Sequence, residues 1–420
     1  MVRRILAAAV ILLTVSACAK PVVPPESRVA APEQAFTTIK LAAMKGANEP
    51  ELDLLIAAFQ EQHPGYRVEK VLFDWTAQGR SKLLEAAMAG EVDVLRDNAV
   101  DYDRRGNVFR ALDGFLAQGG LDQSRFGDLL EQMKLDGRVV ELPYAAYPYL
   151  LVYNREKVQA AGVKIPADKW TWDEFRFALT KLTQGQGDAK VWGLDSQVHD
   201  DFIHMYLQQK YGVPIWQAKY DMLLDALGLF HTIAFTDGSM KPLTGQQITA
   251  NGITRTLDWW GFRSLNEGGA AMTYEPAMSL AYYRSEIKVP WDVAPMPALP
   301  GTKPILRVRP RSLGIAFNSG QAEAAWKFVA FAGGPVGAEL IARNGDIPVY
   351  LTEDVQKAWA GQNLPPGLAS IWNATWRVAV EPPSPNGFGM RHMNADKAVL
   401  WTLSGEKSVE DAIGYFKDLP

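Results

Sequence analysis

The sequence predicts an α/β protein of two domains, and three observations carry that reading. A chain of 420 residues is too long for one ordinary hydrophobic core. Its hydrophobic content of 48% and charged content of 21% are those of a soluble globular protein, so size forces neither disulfides nor metals on it. Residues 36–95 read strand, helix, strand, helix, strand, the order of a parallel sheet with crossover helices.

The first segment lies outside that body. Arg3 and Arg4 form a positive flank, and Ile5 to Val15 is apolar apart from Thr14. As helix this stretch spans about 16 Å, short of a hydrocarbon core of about 30 Å, so it fits a secretory signal peptide. Val15-Ser16-Ala17-Cys18 resembles a bacterial lipobox, and Cys18 is the only cysteine of the chain. The expectation is a signal over 1–17, acylation of Cys18, a lipid bilayer as partner, and a Pro/Ala-rich tether over 18–35. No later segment reaches 18 uninterrupted apolar residues. The formal charge of −4 becomes −6 once Arg3 and Arg4 leave with the signal. A mildly acidic chain without an Arg/Lys-aromatic cluster predicts no nucleic-acid partner.

The first strand is Phe36–Met44. Leu52, Leu55, Ile56 and Phe59 then share one helical face, with Pro50 in the first turn and Pro64-Gly65 as the stop. Tyr66–Phe73 alternates as a second strand, and "GRSKLLEAAMAGEVDVL" is a helix leading to a short strand near Leu95. Val139–Leu142 and Leu150–Tyr153 read as two strands punctuated by Pro143 and Pro148. Thr171 and Glu174 form a capping box ahead of Phe175, Ala178, Leu179 and Leu182. Gly193 to Phe262 reads as helical and aromatic-rich. "SLNEGGAAMTYE" and "VPWDVAPMPALPG" read as short strands, "AEAAWKFVAFAGGP" as a helix closed by Gly333-Gly334-Pro335, and "SVEDAIGYFKDL" as a last helix.

Taken in order, "DGRVVELPY", "LLVYNREKVQAAGVKIP", "WTWDEF", "NEGGAAMTYE", "VPWDVAPMPALPG", "AWKFVAF" and "NGDIPVY" resemble the bacterial extracellular solute-binding proteins of the maltose-binding-protein-like family, lipoprotein type. The resemblance spans Phe36 to Pro420. It implies a two-lobe periplasmic-binding-protein-like (type II) fold with hinge crossovers and a ligand cleft between the lobes. The implied lobes are 36–147 plus 315–353 and 152–310 plus 356–420. It also implies a small sugar-like ligand, the permease subunits of an ABC importer as partners, and no cofactor. Trp170, Trp172, Phe175, Trp326 and Pro297 carry the likeness as scaffold.

The implied ligand positions lie in loops after strands. Lys45, Asn48 and Glu49 follow the first strand, beside helix N-terminal amides. Trp75 follows the second and either stacks on a sugar ring or packs locally. Arg96, Asp97 and Asn98 follow the third, where oligosaccharide binders show an aromatic and an acid; hydroxyls suit Asp and Asn acceptors and Arg donors. Tyr147 stands where maltose-type members place an acid, with Tyr149 two residues on. His199 and Asp201 fall in a contact loop of the second lobe. Tyr274 and Glu275 replace a Gly-Trp pair, and Arg391 lies near another contact loop. Arg307, Arg309 and Arg311 alternate and so share one strand face. Either Arg311 clamps a ligand, or the run is a charged edge strand with Pro310 blocking pairing.

The alternatives are an anionic solute, such as a sugar phosphate or glycerol phosphoester, a sensor partner that passes no cargo, and a secreted glycan-active enzyme. G-x-S-x-G, H-E-x-x-H, P-loop and complete G-x-G-x-x-G signatures are all missing from the sequence. His199 and His204 are five apart, about 140° around a helix, which is poor for joint metal ligation.

Overall fold

The computed structural model describes residues 36–414, other than 46–49, 75, 97–107, 197–198, 244–245, 250–251, 256–260, 277–279, 369–377 and 380–389. At some further positions, including His199, Asp201, Glu275, Arg309 and Arg391, only the backbone is described.

Ten strands form the main sheet. They are β1 (Thr37–Met44), β2 (Tyr66–Phe73), β3 (Val94–Arg96), β4 (Glu141–Asn154), β5 (Trp192–Ser196), β6 (Ala270–Pro276), β7 (Trp291–Ala294), β8 (Leu306–Ile315), β9 (Ile347–Pro348) and β10 (Val378–Ala379). The order is β2-β1-β3-β8-β4-β6-β5, with β7 and β9 also paired to β4 and β10 to β8. β1 runs parallel to β2 and β3. The helix between β1 and β2 is α1 (Pro50–Gln62), and that between β2 and β3 is α2 (Ala77–Met88).

Alternation along β1 explains why both faces are covered. Ile39 and Leu41 pack with Leu52, Leu55 and Phe59 of α1, whereas Ala42 and Met44 pack on the other face with Leu83 of α2. Thr76 caps α2 by accepting from the Gly79 amide at 3.0 Å.

The second core gathers around α3 (Trp172–Leu182), α4 (His199–Tyr211) and α5 (Tyr220–His231). The capping box at the start of α3 is present: the Glu174 amide donates to Thr171 Oγ1, and the Thr171 amide donates to Glu174 Oε2 at 2.7 Å. These Thr171 bonds hold the Glu174 carboxyl below its ordinary range. A depressed carboxyl stabilises the fold above its unfolded pKa, and that contribution is lost as the pH falls through the folded value. Ala322–Gly333 (α6) and Pro335–Asn344 (α7) complete the first core, and Gly345, at φ +88°, ends α7 in the left-handed conformation.

Three sequence expectations are corrected. The two strands separated by prolines are one strand, β4. Its pairing with β8 slips between Arg311 and Ser312, so that Arg311 faces Ala145 and Ser312 faces Pro143. That bulge places Pro143, which has no N–H, where the ladder is already interrupted. Pro148 sits where pairing passes from β8 to β6, whose Pro276 faces Tyr149. Residues 193–262 are not wholly helical: they hold most of β5 and a hairpin pairing Gln246–Thr249 with Gly252–Arg255. β8 is no edge strand; it lies between β3 and β4, with Pro310 opposite Ala146.

Candidate functional site

β4 is the strand that links the two cores. Leu142, Tyr144 and Tyr147 belong to the first core, and Tyr149 and Leu151 to the second. Tyr147 and Tyr149 share a face because they are two residues apart. Across the ladder the backbone of Arg309 is opposite that of Tyr147, and Arg307 and Arg311 stand two residues to either side of it. The Arg311 guanidinium lies over the Tyr147 ring at 4.5 Å, and that of Arg307 over the Tyr149 ring at 4.9 Å. Such stacking of a planar cation on an aromatic face fixes both partners.

The ring ladder continues into the second core. Tyr149 meets Tyr274 with ring centroids 5.9 Å apart, and Tyr274 meets Phe202 of α4 at 4.2 Å. Tyr274 is fully enclosed, and its hydroxyl lies 3.9 Å from Met205 Sδ.

A buried polar knot joins this face to α1. The Tyr147 hydroxyl donates to Glu51 Oε1, and both residues are buried. Arg311 is buried beside them, and Asp346, which follows α7 and leads into β9, is close enough to act on Tyr147. Burial raises the Tyr147 hydroxyl well above its ordinary pKa; the Arg311 charge opposes that shift, and the Glu51 and Asp346 charges add to it. The hydroxyl therefore stays protonated and keeps its role as donor. Asp346 is tied down by Asn344, whose Nδ2 donates to Oδ2 at 2.7 Å.

Of the residues expected from the sequence, the structure brings Tyr147, Tyr149, Tyr274 and Arg311 onto one continuous face. Arg96 is buried at the end of β3, opposite Leu313 of β8. Lys45 is exposed and paired with Asp74 at 2.9 Å, which ties the loop after β1 to the end of β2. His199 and Asp201 fall in the first turn of α4, Glu275 on β6 opposite Leu150, and Arg391 in the helix Met390–Ser404. Asn48, Glu49, Trp75, Asp97, Asn98 and Cys18 lie outside the described residues. Among the described residues, no group of three or more His, Cys, Asp or Glu is placed to hold a metal ion. No helix among them is long and apolar enough to cross a membrane.

Sequence reasoning missed Glu51, Asp346 and the stacking of Arg307. Glu51 reads as an ordinary first-turn acid of α1, favourable near a helix N-terminus. Only the position of Tyr147 shows that it is buried against a crossover strand.

A long strand shared by two cores, with polar and aromatic side chains gathered where it passes between them, is the frame of a two-lobe binding protein. The chain matches the bacterial extracellular solute-binding protein family over residues 46–339 and belongs to that family. A binding protein of Brucella abortus is 24% identical over 306 residues, covering 71% of this chain and 71% of that protein. The structure of a Rhizobium etli sugar transporter in an open conformation is similar with a TM-score of 0.74 at 21% identity, covering 91% of this chain and 100% of that one. An ABC transporter solute-binding protein from Thermotoga lettingae, bound with α-D-tagatose, has a TM-score of 0.67 at 20% identity, covering 91% and 97%. The likeness is to the two-lobe α/β fold, and these relatives are named as binding proteins or transporters rather than enzymes.

Proposed function

We propose that the chain captures a neutral, polyhydroxylated solute, a sugar or oligosaccharide, and presents it to the permease subunits of an ABC importer. The cleft lies between a lobe of residues 36–147 with 315–353 and a lobe of 152–310 with 356–420. β4, β8 and the segment around β9 act as the crossovers. Ligand that touches both lobes only when they close stabilises the closed form, and the importer reads closure as occupancy.

The observation that carries this reading is the state of the arginines along β8. Arg307 and Arg311 lie over the rings of Tyr149 and Tyr147, and Arg311, Glu51 and Asp346 are all buried and all act on Tyr147. A buried cation already engaged by a tyrosine ring, with acids close by, is poorly placed to clamp an anion, whereas carboxylate acceptors suit sugar hydroxyls. The sugar named for the Thermotoga lettingae relative points the same way.

A thermal-shift screen of the chain against maltose, D-tagatose, glycerol 3-phosphate and citrate tests the ligand class. Stabilisation by a neutral sugar is expected, of about 2.7 kcal/mol at a concentration a hundred times Kd. Stabilisation by the anions alone replaces this reading with anion capture.

Cys18 is the proposed anchor, acylated outside the cell at a membrane. Two or more chains are needed for stable attachment. Metabolic labelling with a radiolabelled fatty acid is expected to mark the native chain and to leave Cys18→Ser unlabelled. An unlabelled native chain would remove the anchor from the proposal.

A further inference from the structure

Glu51 holds one oxygen that has no hydrogen-bond partner among the described residues. Its Oε1 accepts from the Tyr147 hydroxyl. Its Oε2 is buried and has no hydrogen bond among the described residues, and the residue as a whole is 1% exposed. An ionised carboxylate has only acceptors, so no rotation of the side chain lets it satisfy itself. Buried polar atoms are almost always paired, and an unpaired one marks either a missing occupant or a functional strain.

The place of this oxygen names the occupant. Glu51 sits in the first turn of α1, just past the carboxyl end of β1, and α/β sheets bind ligands beyond the carboxyl ends of their parallel strands. Its other oxygen touches Tyr147, one residue before Pro148, where β4 exchanges β8 for β6 as partner. The free lone pairs therefore lie at the junction of the two cores. The Arg311 guanidinium lies over the ring of the tyrosine that holds Oε1, so a cation already stands near the carboxylate. An acceptor with a cation near it calls for a neutral donor.

We infer that Glu51 Oε2 is a ligand-binding acceptor that takes a hydroxyl donated by the solute, and that Tyr147 is the positioning residue that fixes the carboxylate. This rests on the sugar-capture reading above. Tyr147 orients Glu51 by holding Oε1, which leaves Oε2 with one direction in which to accept. A hydroxyl-bearing solute completes the carboxylate, whereas a deoxygenated analogue leaves it orphaned in the bound state.

The test titrates maltose, D-tagatose, D-glucosamine and glycerol 3-phosphate calorimetrically into the native chain, Glu51→Gln and Tyr147→Phe. Glu51→Gln replaces the acceptor by a group of the same shape without the charge. It is expected to weaken binding of maltose or D-tagatose by about tenfold or more, as for loss of a charge-assisted hydrogen bond. The melting temperature of its free form should stay within about 2 °C of the native value. Tyr147→Phe removes the hydrogen bond to Oε1 and keeps Oε2 as an acceptor, so it should weaken sugar binding less than Glu51→Gln does. Equal losses in the two variants, or an unchanged sugar affinity in Glu51→Gln, overturn the inference and leave Glu51 as a structural partner of Tyr147. D-Glucosamine bound in preference to both sugars, and lost in Glu51→Gln, overturns the neutral-donor assignment while the carboxylate stays in the site. Glycerol 3-phosphate bound alone, and more tightly by Glu51→Gln, overturns both the inference and the sugar reading.

Discussion

Arg311→Ala is expected to destabilise the protein by about 3–5 kcal/mol, the cost of breaking a buried ionic group from one side. The guanidinium is buried, lies over the Tyr147 ring at 4.5 Å, and acts on that ring alongside Glu51 and Asp346. Alanine removes the cation and leaves the acids enclosed at the point where β4, β8 and β9 run side by side. Tyr147 loses the guanidinium that lies over its ring, beside the bulge between β8 and β4. Arg311→Lys keeps the charge but not the planar stack, so its loss should fall between the native chain and alanine. Urea denaturation followed by tryptophan fluorescence reads the effect as a shift in midpoint. A shift equivalent to less than about 1 kcal/mol would place Arg311 among ordinary surface charges, against its burial. The raised Tyr147 pKa gives a second signature. Its folded value lies above the unfolded one, so its contribution is intact below the ordinary tyrosine pKa of about 10 and fades as the pH rises beyond it.

The first half of the main sheet was legible because local and tertiary signals agree there. The apolar face of α1 at Leu52, Leu55, Ile56 and Phe59 is the face that is buried, and β1 and β2 pair residue for residue over the stretch that alternates. The capping box of Thr171 and Glu174 is a local signal with one physical meaning. The middle of the chain was less legible. An aromatic-rich run from Gly193 onward does not distinguish a short buried strand from a helix by its period, and β5 is such a strand. Pro143 and Pro148 looked like breaks because the bulge and the change of partner that accommodate them belong to β8 and β6. The same limit applies at the site. The alternation of Arg307, Arg309 and Arg311 showed a shared face, but not that the face is internal or that two tyrosines of β4 lie under it. The burial of Glu51 depends on residue 147, far along the chain, and no local pattern carries it.

Tyr274→Ala should be comparably costly, at about 3–5 kcal/mol, the range for removing a large aromatic from a core. Its ring is fully enclosed, with Phe202 at 4.2 Å on one side and Tyr149 at 5.9 Å on the other. Phe202 in turn meets Phe175, Trp172 and Phe230, so the deletion opens a void at the end of an aromatic cluster rather than at a surface. The resemblance implies that Tyr274 or Glu275 touches ligand in place of a tryptophan. Its enclosed place in the ladder gives Tyr274 an action through Tyr149, which also meets the Arg307 guanidinium. With Tyr274 gone, Tyr149 loses a ring neighbour and the face of β4 loses part of its backing. Tyr274→Leu refills much of the volume, so most of the stability should return, while sugar affinity recovers only as far as Leu can hold the Tyr149 ring in place. Denaturation midpoints and maltose titrations of the two variants separate these effects. Full recovery of affinity with partial recovery of stability would make Tyr274 a core residue and nothing more. Recovery of stability with affinity still depressed would mark the ladder as the path by which the second core positions the binding face.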